Sequence, residues 1–399
     1  MSERTLLVGF DLCDDKTQIA VYNRDTREPE LVGVTEENPY AIFETAVGLE
    51  GMEPIRDFLR RIRRGEEIIV DGKVSHPVNV LAYYFRKSLS VVRKLYAPQT
   101  IQHLVITVQD SSLAFVQMIY EALARLGIEK DRATVINHKQ SYLYYTLYQK
   151  PELWINDVGL FDFDGENLLY YQIQLDRKCT PILAGVTEKD YSDAMEPREN
   201  SDDRKSVALE SVVQGAIHKK ILSTLYMTGQ GFEEAWTDEV LRRLCVGRRL
   251  FKGHNLYVSG ACYAAKEFGD YAKLSDYLLM DGDMIDNHLS IKLYKDGKEQ
   301  KVTLAKAGTP WYQVDQTLQL IPDGDSELCI TVENIFTKEE NHLFFELEPV
   351  MGKIEKGCRL AVRIRFNDKQ TLIVTIKDMG FGEIYPTSNR IWEKTVTLE

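Results

Sequence analysis

The chain has 399 residues, 44% of them hydrophobic and 28% charged, and its 49 Lys and Arg against 61 Asp and Glu give a formal net charge of −12. At roughly 150 residues per domain, that length calls for two or three domains, and the composition excludes a disordered, collagenous or low-complexity chain. The acidic balance argues against nucleic acid as a partner, because phosphate contacts need clustered cations, and against anionic membrane surfaces.

Met1 to Thr5 lacks the basic start, apolar stretch and cleavage site of a signal peptide. No apolar run approaches the roughly 18 residues of a membrane helix, so a cytoplasmic protein without membrane contact is expected. The six cysteines (Cys13, Cys179, Cys245, Cys262, Cys329, Cys358) form no CxxC pair, and neither a zinc site nor a disulfide framework is expected. The seven histidines are equally scattered and read as core or surface residues.

In chain order, Thr5 to Leu12 and Gln18 to Tyr22 read as a β-hairpin around the polar turn Cys13-Asp14-Asp15-Lys16-Thr17. An amphipathic helix is expected from Met52 to Arg64, its Arg60-Arg61-Ile62-Arg63-Arg64 run reading as a solvated face. Pro77 opens a second helix, with Val78, Leu81, Ala82, Phe85, Leu89 and Val92 at helical spacing. A strand (His103 to Val108), a helix (Ser112 to Leu126, stopped by Gly127), a strand (Ala133 to Ile136) and an aromatic helix (Lys139 to Tyr148) follow, an alternation that argues for an α/β sheet. The pattern then resets. Val158 to Phe163 and Leu168 to Leu175 flank Asp164-Gly165-Glu166-Asn167, a second acid-tipped hairpin. Thr187 to Ser206 reads as a mobile polar loop, Val207 to Lys219 as a helix, and Ile221 to Met227 as a strand. Thr228-Gly229-Gln230-Gly231 leads into a helix from Glu233 to Cys245. From Asp283 onward the character turns to β. Leu289 to Tyr294 and Gln300 to Leu304 flank the hairpin signal Asp296-Gly297. Later strands are expected at Gln313 to Leu320, Leu328 to Glu333, Leu343 to Leu347, Arg359 to Phe366 and Thr371 to Ile376, the spacing of a β-sandwich.

Two acid-ending hairpins, a strand followed by Thr228-Gly229-Gln230-Gly231 and a helix, and an appended β-domain resemble the seventy-kilodalton heat-shock chaperones. That family belongs to the actin-like, hexokinase-like nucleotide-binding superfamily. Leu7 to Leu12 resembles its first phosphate hairpin, His103 to Val108 its ITVP segment, and Ile136-Asn137 its INEP turn. Phe161 to Gly165 resembles the second phosphate hairpin, Met227 to Phe232 the adenosine turn, and Asn255 to Cys262 the AVAxGAA helix start. The order of parts matches over nearly the whole chain, although no single motif is strong. The resemblance implies an α/β actin-like, ribonuclease-H-like two-lobed domain over residues 1–282 (lobes 1–155 and 156–282), followed by a β-sandwich over 283–399.

By that resemblance Asp11 and Asp162 are the carboxylates that organise magnesium. Asp14, Asp15, Lys16, Thr17, Asp164, Gly165, Gly229 and Gly231 are the positions nearest a nucleotide. The phosphate chemistry departs from the family. Cys13 replaces a loop glycine, Asp14 and Asp15 replace hydroxyls, and only Gly165 survives in the second loop. If the hairpins face one another, Asp11, Asp14, Asp15, Asp162, Asp164 and Glu166 converge, and two like charges roughly 4 Å apart repel by about 4 kcal/mol at an effective dielectric near 20. His138 replaces the water-positioning Glu, Lys139 and Gln109 replace the prolines of the interdomain switch, and Lys73 is the nearest counterpart of the catalytic lysine. His138 and Lys139 could instead pair with the acidic hairpins in place of a nucleotide; a divalent cation without nucleotide is the other alternative.

Lys377-Asp378 closes the strand pattern of the peptide-binding domain, which would take an extended peptide by backbone pairing and an apolar pocket. Trp311, Trp392 and Phe344-Phe345 are the candidate contacts, with buried core as the competing assignment. The expectation is thus a chaperone-like scaffold with a degenerate nucleotide lobe, no bound cofactor, and a peptide or protein partner on the β-domain. The alternatives are an active ATPase using ATP or ADP with magnesium and, less well supported, a metabolite kinase.

Overall fold

A computed structural model describes residues 5–48, 53–70, 72–195, 201–245, 249–270, 272–295, 297–322, 327–347, 359–383 and 386–398. The chain divides into two compact units, residues 1–279 and 280–399.

In the first unit, β1 (Leu6–Leu12), β2 (Lys16–Asn23), β3 (Glu28–Leu31) and the short β4 (Phe43–Glu44) precede α1 (Phe58–Arg64), the small hairpin β5 (Ile68–Val70) and β6 (Lys73–Ser75), and α2 (Pro77–Tyr96). Then come β7 (Ile101–Val108), α3 (Leu113–Ala124), β8 (Ala133–Asn137) and α4 (His138–Tyr148). The sheet runs β3-β2-β1-β7-β8, with β4 paired to β2. β1, β2 and β3 are antiparallel, while β7 and β8 run parallel to β1. β1 is buried along its whole length, its one charged residue, Asp11, included.

The plan then repeats. β9 (Asp157–Phe163), β10 (Leu168–Asp176) and β11 (Ile182–Asp190) are antiparallel. After α5 (Ser192–Met195) and α6 (Asp202–Ile217), β12 (Leu222–Thr228) joins parallel to β9. After α7 (Thr237–Leu244), β13 (Leu250–Lys252) joins parallel to β12 and leads to α8 (Leu256–Gly269). The order is β13-β12-β9-β10-β11, extended by β14 (Tyr277–Met280). Each half therefore has three antiparallel strands, two parallel strands beyond the first, and a helix after the fifth.

α4 and α8, the helices that follow the two fifth strands, pack on each other. A Cβ on Gly260 of α8 would lie 2.0 Å from the Ser141 carbonyl oxygen of α4, so this contact needs glycine. The Ser141 hydroxyl donates to the Tyr257 carbonyl at 2.5 Å across the same crossing.

Several boundaries differ from the sequence reading. α1 begins at Phe58, because Ile55 pairs as a strand with Val47 instead of joining the helix. Thr187 to Asp190 completes β11 and Ser192 to Met195 is helical, so the expected mobile loop is ordered there; its residues 196–200 lie outside the described residues. α7 begins at Thr237, after a separate 3-10 turn over Gln230–Glu233.

In the second unit, β15 (Asn287–Lys295), β16 (Lys298–Ala305), β17 (Asp315–Leu320), β18 (Glu327–Asn334), β19 (Glu340–Glu346), β20 (Leu360–Phe366), β21 (Thr371–Asp378) and β22 (Ile391–Thr397) form two sheets, β16-β15-β18-β19 and β17-β20-β21-β22. Ile291, Ile330 and Val332 of one sheet and Val362, Ile364 and Val374 of the other share one buried core, so the unit is a β-sandwich. The β15–β16 hairpin forms as expected, although Asp296 lies outside the described residues. Buried Asp378 accepts from the Gly380 and Ser388 amides and the Ser388 hydroxyl, which tethers the connection to β22, a strand that strict alternation had not revealed.

Candidate functional site

The two acid-tipped turns open on one cleft of about 550 Å³ within the first unit. Asp11, Cys13, Asp14, Asp15 and Lys16 line it from the β1–β2 hairpin, and Asp162, Asp164, Gly165 and Glu166 from the β9–β10 hairpin. His138 enters from the start of α4, Gly229 from the turn after β12, and Tyr257 from the first turn of α8. All six acids expected to converge do so.

Their charges are distributed among partners. Asp11 and His138 are both buried, and His138 Nε2 donates to Asp11 Oδ1 at 2.9 Å. Half-buried Cys13 donates its thiol to the same Asp11 oxygen at 3.6 Å and lies 3.9 Å from His138 Nε2. Burial, with the Asp11 charge beside it, pushes the Cys13 thiol well above its ordinary pKa. The His138 ring lies against the Tyr257 ring, and Tyr257 Oη donates to Asp162 Oδ2 at 2.7 Å. Burial raises the Asp162 pKa, with the Tyr257 hydrogen bond and the nearby His138 and Lys16 opposing the shift. Asp14 is gripped by Arg60 at 2.9 Å and by Arg63. Arg60 and Arg63 therefore serve the cleft, whereas the sequence read them as a solvated face. Asp164 turns inward on its own loop, accepting from the Glu166 and Asn167 amides at 2.8 and 2.7 Å.

Lys16 lines the cleft with no ion pair among the described residues. Asp15, Gly165 and Glu166 are exposed at its rim. Gly229 has φ +102°, and a Cβ there would stand 2.2 Å from the Phe163 carbonyl oxygen, so the turn after β12 seats directly on the second hairpin. Gly231 is buried against the Phe163 ring and the Gly165 amide.

Three expectations are corrected. Thr17 offers nothing to the cleft; its buried hydroxyl bonds Thr45 at 2.9 Å and accepts from Tyr84 at 2.5 Å, because strand alternation turns it to the opposite face from Asp11 and Cys13. Lys139 pairs with Glu188 at 3.5 Å, since it sits one helix position beyond His138 and projects from another side. Lys73 lies on the exposed hairpin strand β6 and is not a lining residue. Thr228 and Gln230, which the sequence reading placed in the adenosine turn without a site role, also line the cleft, as do Tyr257, read only as part of a helix start, and His254, which was not singled out. Tyr257 had one available signal, its place in the first turn of a glycine- and alanine-rich helix.

In the second unit, Phe344, Phe345 and Trp392 line a groove of about 380 Å³ between β19 and β22, the edge strands of the two sheets. Phe344 is 50% exposed, and Lys394 Nζ bridges the groove to the Phe344 carbonyl at 3.2 Å. Trp311 packs instead against the sandwich core, beside Tyr312.

Residues 29–282 match a family described as "Family of unknown function (DUF5716) C-terminal", and residues 284–398 match "Domain of unknown function (DUF8552)". No curated protein matches the chain.

Proposed function

From the premise that the chain belongs to the DUF5716 family of unknown function, we propose that it is an interaction or scaffold protein: an actin-like, chaperone-type two-lobed unit whose nucleotide cleft is filled by its own ion pairs, joined to a β-sandwich that takes a peptide or protein. The repeated strand order of the two halves, with a tight turn of each facing one cleft, supports the actin-like reading. The groove between two sheet edges supports strand-like peptide capture, with Phe344 and Trp392 offering the apolar contact.

The observation that carries the reading is the buried hydrogen bond from His138 to Asp11. A carboxylate that orders a magnesium ion and its waters needs free lone pairs. Asp11 has given one oxygen to two donors, His138 and Cys13. Magnesium nucleotide would have to break that pair, and uncoupling a buried charge from its partner costs about 3–5 kcal/mol. Asp162 already accepts from the Tyr257 hydroxyl, and burial raises its pKa, so ionising it to hold a hard cation is more costly than for a solvated carboxylate. Asp14, held by Arg60 and Arg63, stands at the rim where phosphates would pass. Lys16 is the observation that favours the alternative, an ATPase with altered phosphate loops, because a cation in the cleft with no ion pair among the described residues could meet a phosphate.

Calorimetry with Mg-ATP and Mg-ADP tests the reading. We expect no binding at millimolar nucleotide and no rise in melting temperature. A ligand at 100 times its Kd adds about 2.7 kcal/mol of stability, so micromolar binding would be plain in both measurements and would move the protein to the ATPase reading.

A further inference from the structure

Asp11 lies near the end of β1 and Cys13 is the first residue after it, and their side chains converge on one point, with Cys13 Sγ 3.6 Å from Asp11 Oδ1. His138 reaches the same point from the start of α4, after the last strand of the same sheet, 125 positions beyond Cys13. The three donor atoms, a carboxylate oxygen, a thiol sulfur and an imidazole nitrogen, make a closed triangle. Its edges are 2.9 Å (His138 Nε2 to Asp11 Oδ1), 3.6 Å (Cys13 Sγ to Asp11 Oδ1) and 3.9 Å (Cys13 Sγ to His138 Nε2). The point equidistant from three corners so spaced lies about 2.0 Å from each, close to the zinc distances of about 2.0–2.2 Å for oxygen and nitrogen and about 2.3 Å for sulfur. A small outward movement of Cys13 Sγ supplies the difference.

We propose that Asp11, Cys13 and His138 form a zinc site with three protein ligands and a fourth position open to the cleft. The donor set selects the metal class. One thiolate and one imidazole favour zinc over magnesium or calcium, which take oxygen ligands. The open position follows from the lining of the cleft, which all three residues share, and suits water or an anionic ligand. The imidazole is held for the task. The Tyr257 ring stacks on it at 3.8 Å and fixes its plane, and Tyr257 is in turn tied to Asp162. On coordination the Cys13 thiol gives its proton to solvent, and the Nε2 proton that His138 donates to Asp11 in the metal-free cluster is exchanged through solvent for one on Nδ1, so a neutral imidazole binds through Nε2 and one proton is released per zinc. The same three groups, when no metal is bound, satisfy each other by hydrogen bonds, so the buried cluster is stable either way. The inference goes beyond the scaffold reading but uses the same Asp11–Cys13–His138 contacts: bonds from zinc to a thiolate and an imidazole would replace those hydrogen bonds, whereas magnesium takes oxygen ligands and would only break them.

The test is cobalt substitution on the full chain, stripped of metal with a chelator and kept reduced, with no nucleotide present. Expected is a thiolate-to-cobalt charge-transfer band in the near ultraviolet that saturates at one Co²⁺ per chain and is displaced by Zn²⁺. Cys13→Ala abolishes the band, whereas Cys245→Ser, at an exposed cysteine, keeps it. Asp11→Asn retains the thiolate but weakens Zn²⁺ by at least the roughly 10–100-fold seen when supporting groups of metal sites are lost. Far-ultraviolet circular dichroism on each variant separates lost binding from lost folding, and Asp11→Asn serves if Cys13→Ala does not fold. No saturable band in the wild-type chain, or a band that persists in Cys13→Ala, would overturn the proposal and leave a hydrogen-bonded triad only. Because nucleotide is absent, that failure leaves the scaffold reading intact. Mg-ATP binding in separate calorimetry would overturn the scaffold reading alone.

Discussion

The ring of His138 lies flat on the ring of Tyr257, centroids 3.8 Å apart and planes 11° from parallel. One ring belongs to the helix that ends the first half of the unit, the other to the helix that ends the second. Each also holds a carboxylate of its own, Asp11 for His138 and Asp162 for Tyr257. The stack therefore joins the two hairpin acids into one connected arrangement: Asp11, His138, Tyr257, Asp162.

Tyr257→Phe keeps the stack and removes only the hydroxyl that donates to Asp162. Leaving that acceptor without its partner should cost about 2 kcal/mol, read as a lower midpoint in urea. Tyr257→Ala, which also removes the ring, should cost about 4 kcal/mol. Equal losses for the two variants would mean that the stack contributes nothing.

Asp162 gives a pH dependence of definite sign. Burial raises its pKa in the folded protein, so the folded state holds this proton more tightly than the unfolded chain does. Between the ordinary carboxylate value of about 3.9 and the raised folded value, the native state binds more protons, and stability falls as pH rises through that window. Asp162→Asn removes the ionisation while its amide oxygen can still accept from Tyr257. The variant should melt above the wild type at pH 7, and the gap should close as pH falls below about 4. Melting curves across pH that remain parallel would refute this.

The helix crossing makes its own demand. Gly260→Ala places a Cβ 2.0 Å from the Ser141 carbonyl oxygen and 2.4 Å from its hydroxyl, where backbone must give way. A loss of about 3 kcal/mol or more is expected. Gly215→Ala, in α6 with nothing within 4 Å of the new methyl, should gain about 0.5–1 kcal/mol from helix propensity alone. Chemical denaturation of the two variants side by side checks the contrast.

The sequence by itself determined the elements whose pattern is local. The alternation of Leu289 to Tyr294 and Thr371 to Ile376 marked strands, and the spacing of Val78, Leu81, Phe85 and Leu89 marked a helix. The two acid-tipped turns were legible for the same reason, since polar residues between apolar runs make hairpins. β22 escaped because Ile391 to Thr397 is mostly exposed and carries little alternation, and β11 because its outer half, Thr187 to Asp190, is polar. Only the tertiary structure decided the site. Sheet order brings Asp11 and His138 together across 127 positions, and no local pattern records a contact at that separation. It also decided partners by direction. Thr17 turns into the core and Lys139 to Glu188, while Arg60 and Arg63 turn to Asp14, because a strand reverses its face at each residue and a helix by about 100°. The residue types announced an acidic cleft; which acids it neutralises internally depends on distances that only the folded chain sets.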